Sequence, residues 1–197
     1  MDATTVLGKV SPPITKMIRM DHTHVMLLAH RYNASAPPDK KRAIVTAVCR
    51  ALEIHAQLEE EIFYPALREE AGDNEVLLRA KPEHDDMRHL IESLRGMEPE
   101  DAQYDGRFMA LIRTVMHHVA DEETVLLPAA EASMPERLNE LGAQMTQRRM
   151  KLVAPHAGEM ATATVRAMPA GTMLVAGGLL TGAYLITRGL ANRRQHH

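Results

Sequence analysis

The sequence predicts an all-α protein: an up-down-up-down four-helix bundle, followed by a short helix and a C-terminal apolar helix that is a candidate transmembrane segment. Two of the three observations behind this prediction are compositional. Aromatic residues make up only 3 % of the 197 residues, and Trp is absent. Met occurs 14 times, which suits helix packing better than sheets of β-branched and aromatic strands. The third observation is the helical spacing of apolar residues over four long segments.

Caps and helix breakers set the predicted boundaries of each element. Ser11 is a candidate N-cap ahead of two prolines, and the helical pattern continues to about Tyr32. The segment 34–38 (Ala-Ser-Ala-Pro-Pro) and Gly72 interrupt the pattern. Because the connections are short, successive helices should be neighbours in one bundle over 12–152. The later helices are predicted over about 39–69, 75–95, 106–130 and 135–152.

Charge divides the chain into an acidic body and a basic C-terminal part. Residues 144–197 contain seven Lys/Arg and one acid, Glu159, for a net charge of +6. Residues 1–143 then hold 16 basic and 25 acidic residues, for a net charge of −9. An acidic body does not suggest nucleic-acid binding. A basic segment around an apolar stretch suggests a membrane surface.

The apolar stretch is 167–187, which has no charged residue over 21 positions. That length matches the roughly 20 residues that cross a hydrocarbon core. It is a candidate transmembrane helix between a linker over 153–166 and a basic tail over 188–197; the alternative is a Gly-rich helix buried against a partner. Gly178 and Gly182 have the small-residue spacing that would allow oligomerisation through this face.

Two further features bear on location. The N-terminus lacks the basic and apolar regions of a secretory signal. Cys49 is the single cysteine, so there is no intramolecular disulfide framework. We therefore expect a cytoplasmic bundle, tail-anchored to the cytoplasmic membrane if 167–187 spans it.

An internal repeat carries the most informative pattern. The segment 55–66 aligns without a gap with 118–129, and both contain His-x-x-x-Glu-Glu and end in Pro-Ala. The pair Asp21-His22 lies 62 residues before the pair Glu83-His84. The body is therefore predicted to consist of two related helical hairpins, each supplying a His and then a His-x-x-x-Glu.

The polar residues of the repeat fall on apolar helix faces. His55 and Glu59 lie within the apolar stripe of the second predicted helix, and the fourth helix repeats this arrangement with its own His and Glu. Unpaired imidazoles and carboxylates in such a seam cost several kcal/mol each. A bound metal is the economical compensation for the convergence of His55, Glu59, His84, His118 and Glu122.

The first helix leaves two alternatives. His22 and His24 each lie about 80° from the centre of the apolar stripe, so periodicity does not choose between them. The repeat favours His22, which aligns with His84. Asp21 lies near the stripe centre and is a candidate acceptor that orients a ligand imidazole.

The remaining polar residues of the repeat receive structural interpretations. Glu60, Glu61 and Glu123 are predicted to form a solvated acidic face, and the alternative is that they lie in the outer sphere of the metal site. Tyr64, just before a proline, is predicted to pack at a helix end.

The chemistry of the candidate ligands limits which metal the site would bind. Four imidazoles and two carboxylates exceed the needs of tetrahedral zinc and suit two ions that share bridging carboxylates, with iron or manganese favoured over calcium. A ferritin-like site would present Glu-x-x-His, whereas here the His comes first and the Glu follows four residues later.

This arrangement resembles the hemerythrin-like HHE cation-binding domain over about 12–152, with motifs at 21–22, 55–60, 83–84 and 118–123. The resemblance implies a centre of two iron ions, oxo- or hydroxo-bridged, with manganese or zinc less expected. The ligand positions that it implies are His22, His55, Glu59, His84, His118 and Glu122.

One position departs from the oxygen-carrying hemerythrins, whose third helix supplies His-x-x-x-His: here Arg88 stands four residues after His84. The resemblance therefore points to the bacterial branch. We expect a non-haem di-iron protein that binds or senses oxygen, iron or redox state, with dioxygen or a related small molecule as partner. The alternative is a di-iron enzyme acting on peroxide or nitric oxide.

Overall fold

A computed structural model describes residues 11–156, and every regular element in this range is helical, which confirms the all-α class. The long helices are α1 (Ile14–His30), α2 (Pro38–Leu58), α4 (Glu75–Arg95), α5 (Tyr104–Asp121) and α7 (Leu138–Val153), and the short ones are α3 (Tyr64–Ala71) and α6 (Leu127–Ser133). Two π-helical turns, π1 (Glu59–Phe63) and π2 (Glu122–Leu126), and 3₁₀ turns at Pro135–Arg137 and Ala154–His156 complete the described elements.

The π-helical turns interrupt the second and fourth predicted helices at equivalent places. No loop separates α2, π1 and α3, and none separates α5, π2 and α6. Each turn begins at the glutamate of a His-x-x-x-Glu motif, Glu59 or Glu122. Because a π turn holds more residues than an α turn, the side chains after it face directions that a 3.6-residue period does not predict.

Local signals explain where the other helices begin. α4 starts as predicted, because the Asn74 side chain accepts a 2.9 Å hydrogen bond from the Leu77 backbone N–H. Gly72, at φ 75°, ends α3 in a conformation that favours glycine. The predicted cap at Ser11 is wrong: α1 begins at Ile14 without a side-chain cap. The Ser11 hydroxyl instead donates to Thr146 Oγ1 on α7 at 3.3 Å.

The core consists of two apolar clusters with a polar layer between them. One cluster gathers the N-terminal end of α1 and the residues around both π turns, including Ile14, Leu58 and Leu126. The other gathers the C-terminal half of α1 with much of α2, α4 and α5, including Ile44 and Phe108. The polar layer contains the imidazoles and carboxylates of the repeat, which therefore lie deep in the bundle rather than at its ends.

The fifth long helix, α7, packs against the bundle. It contacts α1, α2 and π1. At Gly142 it approaches the start of α1 so closely that a Cβ atom would lie 2.0 Å from the Pro12 carbonyl oxygen. A larger residue at Gly142 would therefore push α7 away from α1.

Among the helices of residues 11–156, none is long and apolar enough to cross a membrane. The candidate transmembrane helix 167–187, its Gly178/Gly182 face and the basic tail 188–197 lie outside the described residues, as does most of the linker 153–166.

Candidate metal centre

The structure brings all six predicted ligand residues together in the polar layer. The four imidazoles are at most 4 % exposed, and the carboxylates of Glu59 and Glu122 are fully buried. Their donor atoms form two groups, each with all atoms within 4.8 Å of one another. Glu59 belongs to both groups and joins them. The groups are His22, His55, Glu59 and Glu122, and Glu59, His84 and His118.

The spacing within the groups is that of donors around a cation. His22 Nε2 lies 3.2 Å from Glu122 Oε2. His84 Nε2 lies 3.0 Å from His118 Nε2. Donor atoms at right angles on an ion with bonds of roughly 2.1 Å would be about 3.0 Å apart. The cluster is thus already close to the dimensions of a coordination shell.

Each imidazole turns its Nδ1 toward a carboxylate outside the cluster. A carboxylate only accepts, so the three Nδ1 atoms at 2.9 Å, those of His22, His84 and His118, donate. In the neutral rings of His84 and His118 this leaves the Nε2 lone pair facing the centre, whereas Nε2 of His22 faces Glu122. His55 Nδ1 points toward Asp21 without forming a hydrogen bond. We call these four residues the outer carboxylates. Their distances to the Nδ1 atoms are 2.9 Å from Glu123 to His22, 2.9 Å from Glu60 to His84, 2.9 Å from Glu83 to His118 and 3.5 Å from Asp21 to His55.

The centre is under-satisfied without a cation. With Nδ1 donating in both rings, the Nε2 lone pairs of His84 and His118 face each other across 3.0 Å. Glu59 Oε1 and both ring nitrogens of His55 are buried and make no hydrogen bond to any described residue. Buried polar atoms without partners are costly, and a metal placed among them would satisfy several at once.

Electrostatics give the two buried carboxylates opposite behaviour. Burial and the neighbouring charge of Glu122 raise the pKa of Glu59 well above its usual value. Burial opposes ionisation of Glu122 too, but the hydrogen bond from His22 and the nearby imidazoles lower the pKa of Glu122. Two carboxylates in one buried site cannot both ionise cheaply unless positive charge accompanies them.

The histidines of the first group also differ. Burial alone would lower the pKa of His22, but the hydrogen bond and charge of Glu122 outweigh it and raise the pKa to about 9. Burial lowers the pKa of His55 to about 4, despite the proximity of Asp21. His55 is therefore a neutral donor over the physiological range, whereas His22 must release a proton before it can bind a metal.

Tyr64 enters the centre from the helix that follows π1. Its hydroxyl donates to Glu122 Oε1 at 2.7 Å and lies 3.4 Å from both Glu59 Oε2 and His84 Nε2. Burial and the two carboxylates raise its pKa well above the usual value, so the hydroxyl keeps its proton. The equivalent position in the repeat is Leu127, so this hydroxyl is present on one side of the centre and has no counterpart at that position.

The structure corrects several sequence-based interpretations around the ligands. His24 is exposed, whereas His22 is buried in the cluster. Glu60 and Glu123, predicted to lie on a solvated face, accept hydrogen bonds from cluster imidazoles.

Glu83 and Tyr64 were also missed as residues of the site. The repeat held a signal for the outer carboxylates, because Asp21 aligns with Glu83 and Glu60 aligns with Glu123. The contact expected of Asp21 is present, at 3.5 Å from His55 Nδ1.

A small cavity of about 10 Å³ is lined in part by the four imidazoles. That is the volume needed to accommodate one water-sized molecule. The rest of its wall is apolar and comes from Val25, Leu52, Ala56, Met87, Val115 and Val119.

Comparison with known proteins agrees with this geometry. The family model for the hemerythrin HHE cation binding domain matches residues 14–130. The chain is similar in structure to a hemerythrin HHE cation binding domain-containing protein from Mycobacterium kansasii, with a TM-score of 0.62 at 21 % identity over 80 % of this chain and 99 % of that one. A curated relative, a DNA nickase from Nostoc sp. strain PCC 7120, is 29 % identical over 127 residues. That match covers 64 % of this chain but 36 % of the relative, so the chain spans about a third of the relative's length.

Proposed function

Because the chain belongs to the hemerythrin HHE cation-binding domain family, we propose that its buried cluster holds two iron ions and that this centre binds or senses a small molecule of the dioxygen class. His22 and His55 would hold one ion and His84 and His118 the other, and the buried carboxylates of Glu59 and Glu122 would supply the remaining protein donors. The metal chemistry of the family extends to this chain through its own residues, which provide a complete set of buried donors.

The observation that carries the proposal is the convergence of four buried Nε2 atoms on two fully buried carboxylates. Spacings of 3.0 to 3.5 Å join the Nε2 atoms to one another or to a carboxylate oxygen. Mixed imidazole and carboxylate donors suit iron or manganese better than calcium or magnesium. The six donor residues of the two groups also exceed what a single tetrahedral zinc uses.

The surroundings of the cluster give each ligand its orientation. Outer carboxylates accept hydrogen bonds from Nδ1 of His22, His84 and His118, and such bonds orient an imidazole and raise the basicity of its Nε2. Iron bound among these donors would supply redox-active Lewis-acid chemistry toward oxygen species. The chain itself supplies exclusion of water, through the apolar clusters above and below the polar layer.

The cavity beside the imidazoles supports a very small ligand. At about 10 Å³ it accommodates a water-sized molecule and excludes organic substrates. Its apolar wall is suited to an uncharged diatomic molecule, since no hydrogen-bonding side chain other than the imidazoles lines it among the described residues.

One observation favours the alternative of an enzyme acting on peroxide or nitric oxide. The Tyr64 hydroxyl donates a hydrogen bond to Glu122 Oε1 at 2.7 Å and so places an O–H group at the centre. Turnover of peroxide needs positioned proton donors. Tyr64 does not line the cavity, and for this reason binding or sensing is the better-supported function.

We propose no DNA-directed role for this chain. The nicking activity belongs to a relative of which this chain covers 36 %. The net charge of −9 over residues 1–143 opposes contact with phosphates.

Metal analysis with absorption spectroscopy tests the proposal. Full-length protein purified in air is expected to contain two irons per chain and to show charge-transfer bands of a bridged iron pair. A single zinc, or no metal after reconstitution with ferrous iron, would contradict it.

Adding peroxide then separates the two functions. Bleaching or a spectral change that is stoichiometric and reversible on exposure to oxygen supports binding or sensing. Sustained peroxide consumption that Tyr64→Phe slows supports the enzyme instead.

A further inference from the structure

One outer carboxylate is held by a helix that lies beyond the matched family domain. Arg149, on α7, donates from both terminal guanidinium nitrogens to the two oxygens of Asp21, each at 2.6 Å. Asp21 Oδ2 in turn lies 3.5 Å from His55 Nδ1. The family match ends at residue 130, and α7 begins at Leu138.

The equivalent carboxylate of the second hairpin is held differently. Glu83 accepts from His118 Nδ1 at 2.9 Å. Its contact with the cation Arg79 is 3.7 Å long, and both members of this pair are more exposed than those of the Arg149–Asp21 pair: 52 % against 31 % for the arginines and 27 % against 17 % for the carboxylates. A two-bond guanidinium–carboxylate pair with little exposure fixes orientation, and a loose exposed pair does not.

The competition for Asp21 is visible in the distances. The other three outer carboxylates lie 2.9 Å from their imidazoles. Asp21 is 3.5 Å from His55 but 2.6 Å from Arg149. The position of the Asp21 carboxylate is therefore determined by Arg149 on α7 more than by His55. Arg148, the preceding residue, makes a similar two-bond pair with the exposed Glu61, away from the ligands.

We propose that Arg149 is a positioning residue for His55: by fixing Asp21 it makes the half of the centre containing His22 and His55 depend on the docking of α7, while the half containing His84 and His118 does not. This inference rests on the proposed function. It couples the packing of α7 to one of the two proposed metal positions.

The test is anaerobic titration of the metal-free full-length chain with ferrous iron, followed by chelator challenge and metal counting. Arg149→Met is expected to weaken one of two iron equivalents by about 10- to 100-fold, the range for loss of an outer partner, and to leave the other unchanged. Arg149→Lys should recover part of that affinity, because an ammonium group keeps the charge without the two-bond geometry. Arg148→Met is the matched control and should retain both equivalents at wild-type affinity.

If α7 detaches from the bundle in the Arg149 variant, Asp21→Asn is a second variant that still tests the proposal. It retains the side-chain shape and is expected to give the same selective weakening with α7 still packed, as judged by circular dichroism and the melting temperature of the metal-free protein. Retention of both equivalents in Arg149→Met, or equal weakening of both, would overturn the inference while leaving the di-iron proposal intact. A wild-type chain that takes up no iron would overturn both.

Discussion

The two hairpins of the bundle supply equivalent sets of buried candidate ligands in different surroundings. The first hairpin (α1, α2 and π1) contributes His22, His55 and Glu59, and the second (α4, α5 and π2) contributes the equivalent His84, His118 and Glu122. Both glutamates open a π-helical turn. Duplicated sequence therefore produces duplicated backbone geometry at the place where the donors meet.

The partners of these ligands are not duplicated. Tyr64 donates to Glu122, whereas its counterpart in the repeat is Leu127. Arg149 holds Asp21 from outside the repeat. The pKa of Glu59 is raised and that of Glu122 is lowered. A symmetric set of candidate ligands can thus form two unequal half-sites, because the residues that hydrogen-bond to the ligands determine their protonation and orientation.

The largest expected effect comes from the carboxylates at the centre. Glu122→Ala removes the acceptor that faces His22, His118 and Tyr64, and we expect loss of both irons and of the metal-dependent rise in melting temperature. The loss of iron affinity should exceed roughly 100-fold, which is the upper end of the range for removing a residue that hydrogen-bonds to a metal ligand. Iron content after gel filtration and thermal unfolding with and without iron are the measurements. Glu61→Ala, on the exposed surface, is the control, and a Glu122→Ala chain that keeps two irons would refute the ligand assignment.

The outer carboxylates come next. Glu123→Gln and Glu60→Gln each replace an acceptor of a 2.9 Å bond from Nδ1, on His22 and His84 respectively. Each is expected to weaken one iron equivalent by about 10- to 100-fold, and the two variants should affect different equivalents. Iron titration of the single and double variants checks this. Loss of the same equivalent in both variants would mean that the half-sites are not divided between the hairpins as described.

The third prediction concerns pH and His22. Its pKa is raised from 6.5 to about 9, so the charged form stabilises the metal-free fold fully below pH 6.5, and that stabilisation is lost as the pH rises through 9. Metal binding must remove the same proton, so iron affinity should rise with pH in this window by about tenfold per unit for one proton. Melting curves of metal-free protein and iron titrations between pH 6 and pH 9.5 measure the two trends. Opposite signs are required; parallel trends would exclude His22 as the titrating ligand.

The smallest effect is expected from the tyrosine that breaks the symmetry. Tyr64→Phe removes a hydrogen bond to a buried carboxylate, and bonds to charged groups contribute about 1.5–3 kcal/mol. Tyr32→Phe is the matched control, because Tyr32 also bonds a carboxylate, Asp105, but one that is 39 % exposed. Chemical denaturation of the metal-free variants is the measurement. A larger loss for Tyr32→Phe would show that Tyr64 adds little to the centre.

Much of the fold and the central ligands could be predicted from the sequence because their signals are local. α4 was predicted over 75–95 and is observed from Glu75 to Arg95, since Asn74 is a strong cap and Gly72 a strong breaker. Five of the six buried donors followed from polar residues on apolar stripes, and the repeat added His22. Helical periodicity places His22 and His24 equally far from the centre of the apolar stripe, so only the repeat distinguishes them as candidate ligands.

The missed features depend on tertiary structure. A π-helical turn changes which side chains face inward, so Glu60 and Tyr64 were assigned to a solvated face and to packing. Arg148 and Arg149 were counted with the basic C-terminal part, although α7 brings both onto the acidic bundle. Contacts between residues more than 80 positions apart leave no periodic trace in the sequence.

Anomalous diffraction at the iron absorption edge, from crystals of the iron-loaded full-length chain, tests the central claim most directly. Two peaks inside the bundle are expected, one among His22, His55, Glu59 and Glu122 and one among Glu59, His84 and His118. A single peak, a peak outside the polar layer, or none would contradict the assignment of a di-iron centre to these residues.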